Sequence, residues 1–294
     1  MTYPGQSWGQ LMRNAFGRWF ADHILGEDKA ILLSGDIGYR IFDPILEKNE
    51  QKFINCGIAE QNMIGTAAGL ASKEFKPWVY TIVPFLIYRP YEFVRNLIAF
   101  QNLNVKLVGV GSGLAYDTLG FTHYGLEDIS LTKNLPNMRI LLPYDAPSAI
   151  KCFEKASDTI GPCYIRLLKG GEPVIPVVEK NEGYDIVKNY GNDVSIVCHG
   201  GIIQNYISIP DSLLKQGIKC QLIAVWDSSA VVKMDSFFGK KITLFIEEHF
   251  TGGLFEGYKN NENVCLKVIR HNTLGLFHNR EKLLTINGLS EDQI

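Results

Sequence analysis

One carboxylate stands alone in a stretch of small and apolar residues. Residues 57–71 read GIAEQNMIGTAAGLA, and Glu60 is the only ionisable side chain among them. The recurring glycine and alanine predict a helix that lies close to another backbone. A carboxylate buried there needs a partner or a proton, because an isolated charge is costly away from water. Glu60 is therefore a candidate acid–base group. The alternative is an exposed glutamate that the helix dipole stabilises in the first turn.

A long glycine-rich loop is the second candidate for chemistry. Residues 111–125 read GSGLAYDTLGFTHYG, with four glycines and one histidine, His123. Long loops inside compact domains are usually functional or mobile. Because His123 comes just before a predicted helix, it could face an anionic ligand or a reacting hydroxyl. A loop histidine bonded only to backbone groups is the alternative. Glu127 and Asp128 fall in the first turn of that helix, where we expect a structural role.

Several well-known site patterns are missing from the sequence. It contains no GxGxxG fingerprint, no Walker motif, no G-x-S-x-G elbow and no H-E-x-x-H pair. The six cysteines are widely spaced without a C-x-x-C pair, which predicts reduced thiols and no metal site. A net charge of −2 argues against a nucleic-acid partner. Glu247, Glu248 and His249 follow a predicted strand, and we expect them to form a solvated strand end.

Strand and helix patterns alternate along the chain, which indicates βαβ units and a mostly parallel sheet. The fold class is therefore α/β with two domains, each a mostly parallel sheet flanked by helices. Residues 1–170 form the first domain, which begins with a helix over 7–23. Residues 171–191, rich in glycine, proline and charge, are expected as a linker. Residues 192–294 form the second domain.

The sequence favours a cytoplasmic protein that does not contact a membrane. The longest apolar stretch, residues 77–88, is too short to span a bilayer as a helix. The first ten residues, MTYPGQSWGQ, have neither the basic nor the apolar segment of a signal peptide.

Several long blocks, in the correct order, resemble the transketolase family. Residues 57–71 are similar to the signature of that family's pyrimidine-binding domain. The block TLGFTHYGLEDISLTKNLPNMRILLPYDA, over 118–146, resembles the next conserved stretch. GPCYIRL and IEEHFTGGL resemble the end of that domain and a motif of the transketolase C-terminal domain. The resemblance covers nearly the whole chain and implies a thiamine diphosphate enzyme.

The resemblance implies a role for each candidate residue. Glu60 would bond N1′ of the cofactor's aminopyrimidine and favour the tautomer that removes the C2 proton. His123 would lie beside the thiazolium and contact substrate oxygens. These two are the implied catalytic residues. Further contacts to the cofactor, among them an aromatic stack from Phe85, are implied for Asp36, Ile82, Phe85 and Arg89. Contacts to the substrate are implied for Arg13, Arg40, Leu119, His123 and Arg166.

The resemblance also implies a partner chain. A complete transketolase has a G-D-G…N motif that holds Mg²⁺ and the diphosphate, and no G-D-G occurs here. The expected protein is the C-terminal, or β, subunit of a two-chain transketolase, a transferase of carbohydrate metabolism. Thiamine diphosphate and Mg²⁺ would be shared with an N-terminal subunit that holds the metal. Self-association through the first domain would complete a heterotetramer.

Alternatives remain open at this point. A related thiamine enzyme subunit, of the 1-deoxyxylulose-5-phosphate synthase type or the 2-oxo acid dehydrogenase E1 β type, fits the same blocks less well. A non-catalytic partner chain would retain the fold without needing Glu60, Phe85 and His123.

Three positions depart from the usual transketolase pattern. Leu119 stands where many transketolases carry an aspartate that contacts a substrate hydroxyl. Ile82 replaces a second aromatic residue of the pocket, and Arg40 aligns with a phosphate-contacting serine. These departures predict a modified or specialised sugar phosphate as the substrate. The alternative is that a neighbouring residue or the partner chain supplies the missing contact, and Asp117, two residues before Leu119, is the obvious candidate.

Overall fold

The computed structural model describes residues 11–237, 241–270 and 278–294. The start of the helix expected over 7–23 lies outside these residues, and its remainder is present from Met12 onward. Within the described ranges, two six-stranded sheets form the two domains. The predicted α/β class with two mostly parallel sheets is confirmed.

All six strands of the first sheet run parallel, in the order β2-β1-β3-β4-β6-β5. Strands of this kind read as nearly continuous apolar runs because both faces of the sheet are covered. The strands are β1 (Ala30–Ser34), β2 (Phe53–Asn55), β3 (Lys76–Ile82), β4 (Lys106–Val110), β5 (Arg139–Leu141) and β6 (Cys163–Leu167).

The described part of the first domain has six α-helices around this sheet, and two of them continue as wider π-type turns, Phe20–Ile24 and Val94–Ala99. Asp145 accepts a hydrogen bond from the Ser148 backbone N–H at 2.9 Å and caps the helix that begins at Ala146. The helices are α1 (Met12–Trp19), α2 (Asp43–Asn49), α3 (Glu60–Ala71), α4 (Tyr91–Phe93), α5 (Asp128–Thr132) and α6 (Ala146–Asp158).

The second sheet has the order β12-β11-β9-β10-β8-β7, and β7 and β8 form an antiparallel edge. Helix α7 (Ile209–Lys215) and helix α8 (Arg280–Ile286) belong to this domain. Its strands are β7 (Glu179–Lys180), β8 (Tyr184–Asn189), β9 (Val194–His199), β10 (Cys220–Val225), β11 (Ile242–Ile246) and β12 (Val264–Lys267).

The range 171–191, expected to be a linker, contains the two antiparallel strands β7 and β8. Ile186 and Val187 of β8 are buried in the core. The glycines and charges that indicated a linker belong to the segment before β7 and to the turn between the strands. The structure therefore differs from the expected boundary, since the second sheet begins at Glu179 rather than after residue 191.

A buried arginine connects the end of the first domain to the second domain. Arg166 on β6 donates from Nε to Asp128 Oδ2 at 2.7 Å, and both side chains are buried. The Nη2 group of Arg166 donates to the backbone oxygens of Gly125 and Glu248, at 2.7 and 3.2 Å. Burial alone would raise the pKa of Asp128, but the adjacent guanidinium outweighs it and holds that pKa below its ordinary value.

The expected solvated strand end at residues 247–249 is wrong. Glu247, Glu248 and His249 are all buried, with no more than 3% of their surface exposed. Glu248 accepts a hydrogen bond from the Leu114 backbone N–H at 3.0 Å and pairs with Arg280 at 2.5 Å. These charged side chains are buried because the end of β11 faces the glycine-rich loop of the first domain.

Removing Arg166 should destabilise the chain far more than removing an exposed cation. Arg166→Gln leaves the buried Asp128 carboxylate without its partner, which costs about 3–5 kcal/mol of unfolding free energy. Lys155→Gln is the matched control, because Lys155 pairs with the exposed Glu182 and should lose at most about 1 kcal/mol. Urea unfolding of both variants measures the difference. Equal losses would contradict the structural role assigned to Arg166.

Candidate active site

The candidate residues gather at one edge of the first sheet. In a parallel sheet the carboxyl ends of all strands meet at the same edge, and ligands bind there. Loops that follow four of these strands carry the expected site residues. Asp36 follows β1, Glu60 follows β2, Phe85 follows β3 and His123 follows β4.

Glu60 is the first residue of α3, and its side chain is only 3% exposed. Arg89 donates from Nη1 to both carboxylate oxygens, at 2.7 and 2.8 Å. The exposed alternative therefore does not hold, since Glu60 is buried and paired. The opposite charge of Arg89 offsets the cost of burying this carboxylate.

Phe85 lies in the turn Pro84–Tyr88 that follows β3. The guanidinium carbon of Arg89 lies 4.4 Å from the centroid of the Phe85 ring. The His123 ring meets Phe85 edge-on, with 5.4 Å between centroids. The structure thus brings Glu60, Arg89, Phe85 and His123 into one continuous cluster.

His123 ends a short 3₁₀ turn, Phe121–His123. Its Nδ1 lies 2.9 Å from the hydroxyl of Thr122, and the Tyr116 ring lies 5.9 Å from its own. Burial lowers the pKa of His123 below its ordinary value. The neutral imidazole therefore predominates near pH 7, where it can both accept and donate a hydrogen bond.

Two glycines allow the loop that carries His123 to fold. Gly111 has φ +85°, and a Cβ there would lie 2.0 Å from the Tyr116 ring. Gly113 has φ +60°, and a Cβ there would lie 2.6 Å from the Glu248 carboxyl carbon. Gly113 and Gly125 exchange two backbone hydrogen bonds of 2.9 Å, which close the loop at its base. Side chains at these positions would therefore displace His123.

Asp36 and Ile82 border the cluster. Asp36 has φ +58°, and its Oδ1 accepts a hydrogen bond from Asn55 Nδ2 at 2.9 Å. This bond ties the end of β1 to the end of β2. Ile82 is the last residue of β3 and packs against the larger hydrophobic core.

Arg166 is not available to a substrate phosphate, contrary to the role that the resemblance implied. It is 3% exposed and its guanidinium is bonded within the domain interface. Lys169 is a residue that the sequence analysis missed. It comes two residues after β6, and its ammonium lies 4.9 Å from the Tyr116 ring centroid. A cation directly after a strand and before two glycines was the signal that could have identified it.

Arg13 and Arg40 lie in different surroundings. Arg13 on α1 is partly buried, and its charge lowers the pKa of Tyr116 against the larger effect of burial. Its Nε is buried without a hydrogen-bond partner among the described residues. Arg40 is exposed, has φ +64°, and lines a surface groove of about 310 Å³ together with Arg18 and Glu47. Arg13 therefore belongs to the Tyr116 side of the site, whereas Arg40 faces the groove beside α1 and α2.

Leu119 is half-exposed in the 3₁₀ turn Asp117–Leu119 that precedes His123. Asp117, the possible substitute for the missing aspartate, is bonded through both carboxylate oxygens. Its Oδ1 accepts from the Thr118 N–H at 2.6 Å, and its Oδ2 accepts from the Arg280 N–H at 3.1 Å. Its carboxylate is thus committed to fastening the loop to α8.

The described part of the chain holds neither a metal cluster nor a membrane-spanning helix. Within residues 11–237, 241–270 and 278–294, no three His, Cys, Asp or Glu side chains are grouped so that they could hold a metal ion. Over those same ranges, no helix has both the length and the apolar character needed to cross a bilayer.

The chain is similar to several known proteins. Residues 9–171 match the family model described as "Transketolase, pyrimidine binding domain". The chain is 33% identical over 215 residues to an apulose-4-phosphate transketolase subunit of Phocaeicola vulgatus, a match that covers 69% of this chain and 67% of that protein. It is 31% identical over 242 residues to the 6-deoxy-6-sulfo-D-fructose transketolase subunit SqwH of a Clostridium species, covering 79% and 74% of the two chains.

A solved structure gives the same result. It is described as a split gene transketolase, inactive beta4 tetramer, and the match covers 96% of this chain and 95% of that one. The TM-score is 0.80 and the sequence identity is 27%. The chain therefore belongs to the transketolase family, and its first sheet is the core of that family's pyrimidine-binding domain.

Proposed function

We propose that this chain is the C-terminal subunit of a two-chain, thiamine diphosphate-dependent transketolase that moves a two-carbon ketol unit between sugar phosphates. One observation carries the proposal. The buried carboxylate of Glu60 and the ring face of Phe85 both contact one flat guanidinium, beside His123. A flat nitrogen heterocycle needs the same pair of contacts, a carboxylate at one edge and an aromatic ring on one face.

The residues present fit an aminopyrimidine. The Arg89 guanidinium is planar and carries N–H donors, and it is accommodated against both Glu60 and Phe85. When bound, thiamine diphosphate supplies the nucleophilic carbon that accepts and releases the two-carbon unit. In this assignment Glu60 holds a proton at the pyrimidine nitrogen and Phe85 fixes the ring plane. His123, neutral near pH 7, exchanges hydrogen bonds with substrate oxygens.

The sugar phosphate is assigned to Arg13 and Lys169. Both cations lie near Tyr116, which also borders His123. An anion beside His123 and Tyr116 would then meet positive charge. Asp36 and Ile82 are assigned to the edge of the cofactor site, and Arg40 to an additional anionic group of the substrate.

We assign the complex as a heterotetramer of this chain and an N-terminal subunit, as the resemblance implied. An N-terminal subunit would hold Mg²⁺ and the diphosphate, and two copies of this chain would associate through the pyrimidine-binding domain. The related solved structure is described as a β4 tetramer that is inactive, in line with a β chain that needs a partner. We further propose a cytoplasmic location, because all six cysteines are unpaired, as in a reducing compartment.

A specialised sugar phosphate is the proposed substrate. Leu119 offers no acceptor to a substrate hydroxyl, and the Asp117 carboxylate is already occupied. The two relatives described above are named for apulose-4-phosphate and 6-deoxy-6-sulfo-D-fructose rather than for ordinary pentose phosphates. Both observations support a pocket that tolerates a sugar with an altered or missing hydroxyl.

The isolated chain should bind thiamine diphosphate weakly or not at all. The diphosphate and its Mg²⁺ supply much of the polar binding, and their ligands are assigned to the partner chain. Calorimetry of the isolated chain with cofactor and Mg²⁺ measures this, and addition of the N-terminal subunit should restore binding. Micromolar affinity of the lone chain would contradict the division of the site between two chains.

Glu60→Gln should nearly abolish turnover of the assembled complex and leave its assembly intact. The amide keeps the shape of the carboxylate but cannot hold the shared proton, and such groups contribute roughly 10²–10⁴-fold. Glu92→Gln is the control, since Glu92 is an exposed carboxylate on α4. Turnover and light scattering are measured together. If Glu60→Gln retained more than about a tenth of the activity, the assignment would be wrong.

Leu119→Asp should redirect the enzyme toward ordinary pentose phosphates. A new hydrogen-bond acceptor is worth about 1 kcal/mol, which corresponds to a gain of roughly fivefold in kcat/KM for a sugar with the matching hydroxyl. Thr118→Asp, at the adjacent exposed position, controls for the added charge. The wild type should favour a modified sugar phosphate in the same panel. High wild-type activity on xylulose 5-phosphate and ribose 5-phosphate would refute the substrate proposal.

A further inference from the structure

Arg89 makes both of the contacts that the proposed function assigns to the aminopyrimidine ring. One of its nitrogens bonds both Glu60 oxygens, and its guanidinium carbon lies 4.4 Å from the Phe85 centroid. The carboxylate edge and the ring face are therefore engaged by the same group. We propose that Arg89 and the aminopyrimidine are mutually exclusive occupants of one site, so that Arg89 sets the affinity of the chain for its cofactor.

The position of Arg89 favours competition with the ligand over a supporting role behind Glu60. The Glu60 side chain is 3% exposed, whereas that of Arg89 is 47% exposed. Arg89 thus covers Glu60 from the solvent side, which is the side from which a ligand must reach it. A residue that only held Glu60 in place would be expected on the buried side of the carboxylate.

Displacement of Arg89 needs no movement of the backbone. Its main chain is fixed at the end of the turn after β3, where its N–H donates to the Pro84 oxygen at 3.1 Å. The side chain can leave by rotation into the solvent that it already faces. Half-exposed ion pairs and exposed cation–π contacts are individually weak, so a cofactor can displace them at a modest loss of affinity.

The arrangement has a structural reason. A carboxylate buried at the start of a helix needs an opposite charge whenever the cofactor does not occupy the site. Arg89 supplies that charge on a long side chain that can withdraw. Arg89 therefore stabilises Glu60 and lowers the apparent affinity for the cofactor. Only those molecules in which the Arg89 side chain has withdrawn from Glu60 can bind the aminopyrimidine ring.

Arg89→Met tests the inference in the assembled two-chain complex. Methionine has a similar length but cannot pair with Glu60, so the dissociation constant for thiamine diphosphate with Mg²⁺ should fall by roughly tenfold. Arg95→Met is the matched control, because Arg95 is an exposed arginine further along the same segment and bonds Asn96 at 2.7 Å. Calorimetry gives the affinities independently of turnover.

A second measurement is the thermal stability of the complex. Without cofactor, Arg89→Met should lower the melting temperature of the assembled complex relative to Arg95→Met, and saturating cofactor should remove that difference.

An unchanged or weaker affinity of Arg89→Met would overturn the inference and make Arg89 a support of the cofactor site. The inference depends on the proposed function, and the same data separate the two. If neither the wild-type complex nor any variant bound thiamine diphosphate, the proposed function itself would fail, and the inference with it. If the wild type and Arg95→Met bound thiamine diphosphate equally and Arg89→Met bound it no more tightly, the inference would fail and the proposed function would stand.

Discussion

The buried pair between Arg166 and Asp128 anchors the loop that carries His123, and the same arginine reaches the second domain. Arg166 lies on β6 of the first sheet and Asp128 begins α5, directly after the loop that carries His123. The same guanidinium bonds the Gly125 oxygen at the base of that loop and the Glu248 oxygen of the second domain. A charge in the interior is tolerated only where its partners satisfy it. The position of His123 therefore depends on an ion pair that never touches the substrate.

The elements were predictable from the sequence because they rest on local patterns. Apolar strands, the helix starting at Glu60 and the Asp145 cap follow from periodicity and side-chain chemistry within a few residues. Contacts between distant segments were not predictable in this way. Glu248 is expected to be solvated when its own segment is considered alone, but it is buried because distant residues contact it, among them Leu114, 134 residues away, and Arg280.

Arg166 and Lys169 illustrate the same limit within one strand. Both are cations near the end of β6, and the sequence assigned the phosphate role to the first. In a strand, alternate residues face opposite sides of the sheet. Arg166 within β6 can therefore face the domain interface, whereas Lys169 lies beyond the end of the strand, at the edge of the site. Only the fold shows that Arg166 has Asp128 as its partner and that Lys169 lies over Tyr116. The resemblance implied a phosphate contact for Arg166 and did not single out Lys169, the cation that lies over Tyr116.

The candidate site is bordered by exposed apolar side chains. Large apolar residues in the loops at the carboxyl edge of the first sheet are exposed. They include Tyr39 at 89%, Ile58 at 79%, Leu119 at 50% and Phe121 at 52%. Apolar side chains clustered in this way mark surfaces that bind another molecule.

The exposed apolar residues lie at the same edge of the sheet as the buried carboxylate of Glu60. Among the described residues, the long side chain of Arg89 covers this carboxylate. Glu60 is shielded from water by Arg89, which is itself half-exposed. Catalysis by a group such as Glu60 is strongest where water is excluded and the surrounding dipoles are fixed in advance. The described part of this chain supplies the carboxylate, the aromatic ring and the histidine, but no second wall over them. In the proposed assignment, the exposed apolar residues and Arg89 have related roles. Arg89 keeps Glu60 paired, and the apolar residues remain available to the partner surface that would complete the site.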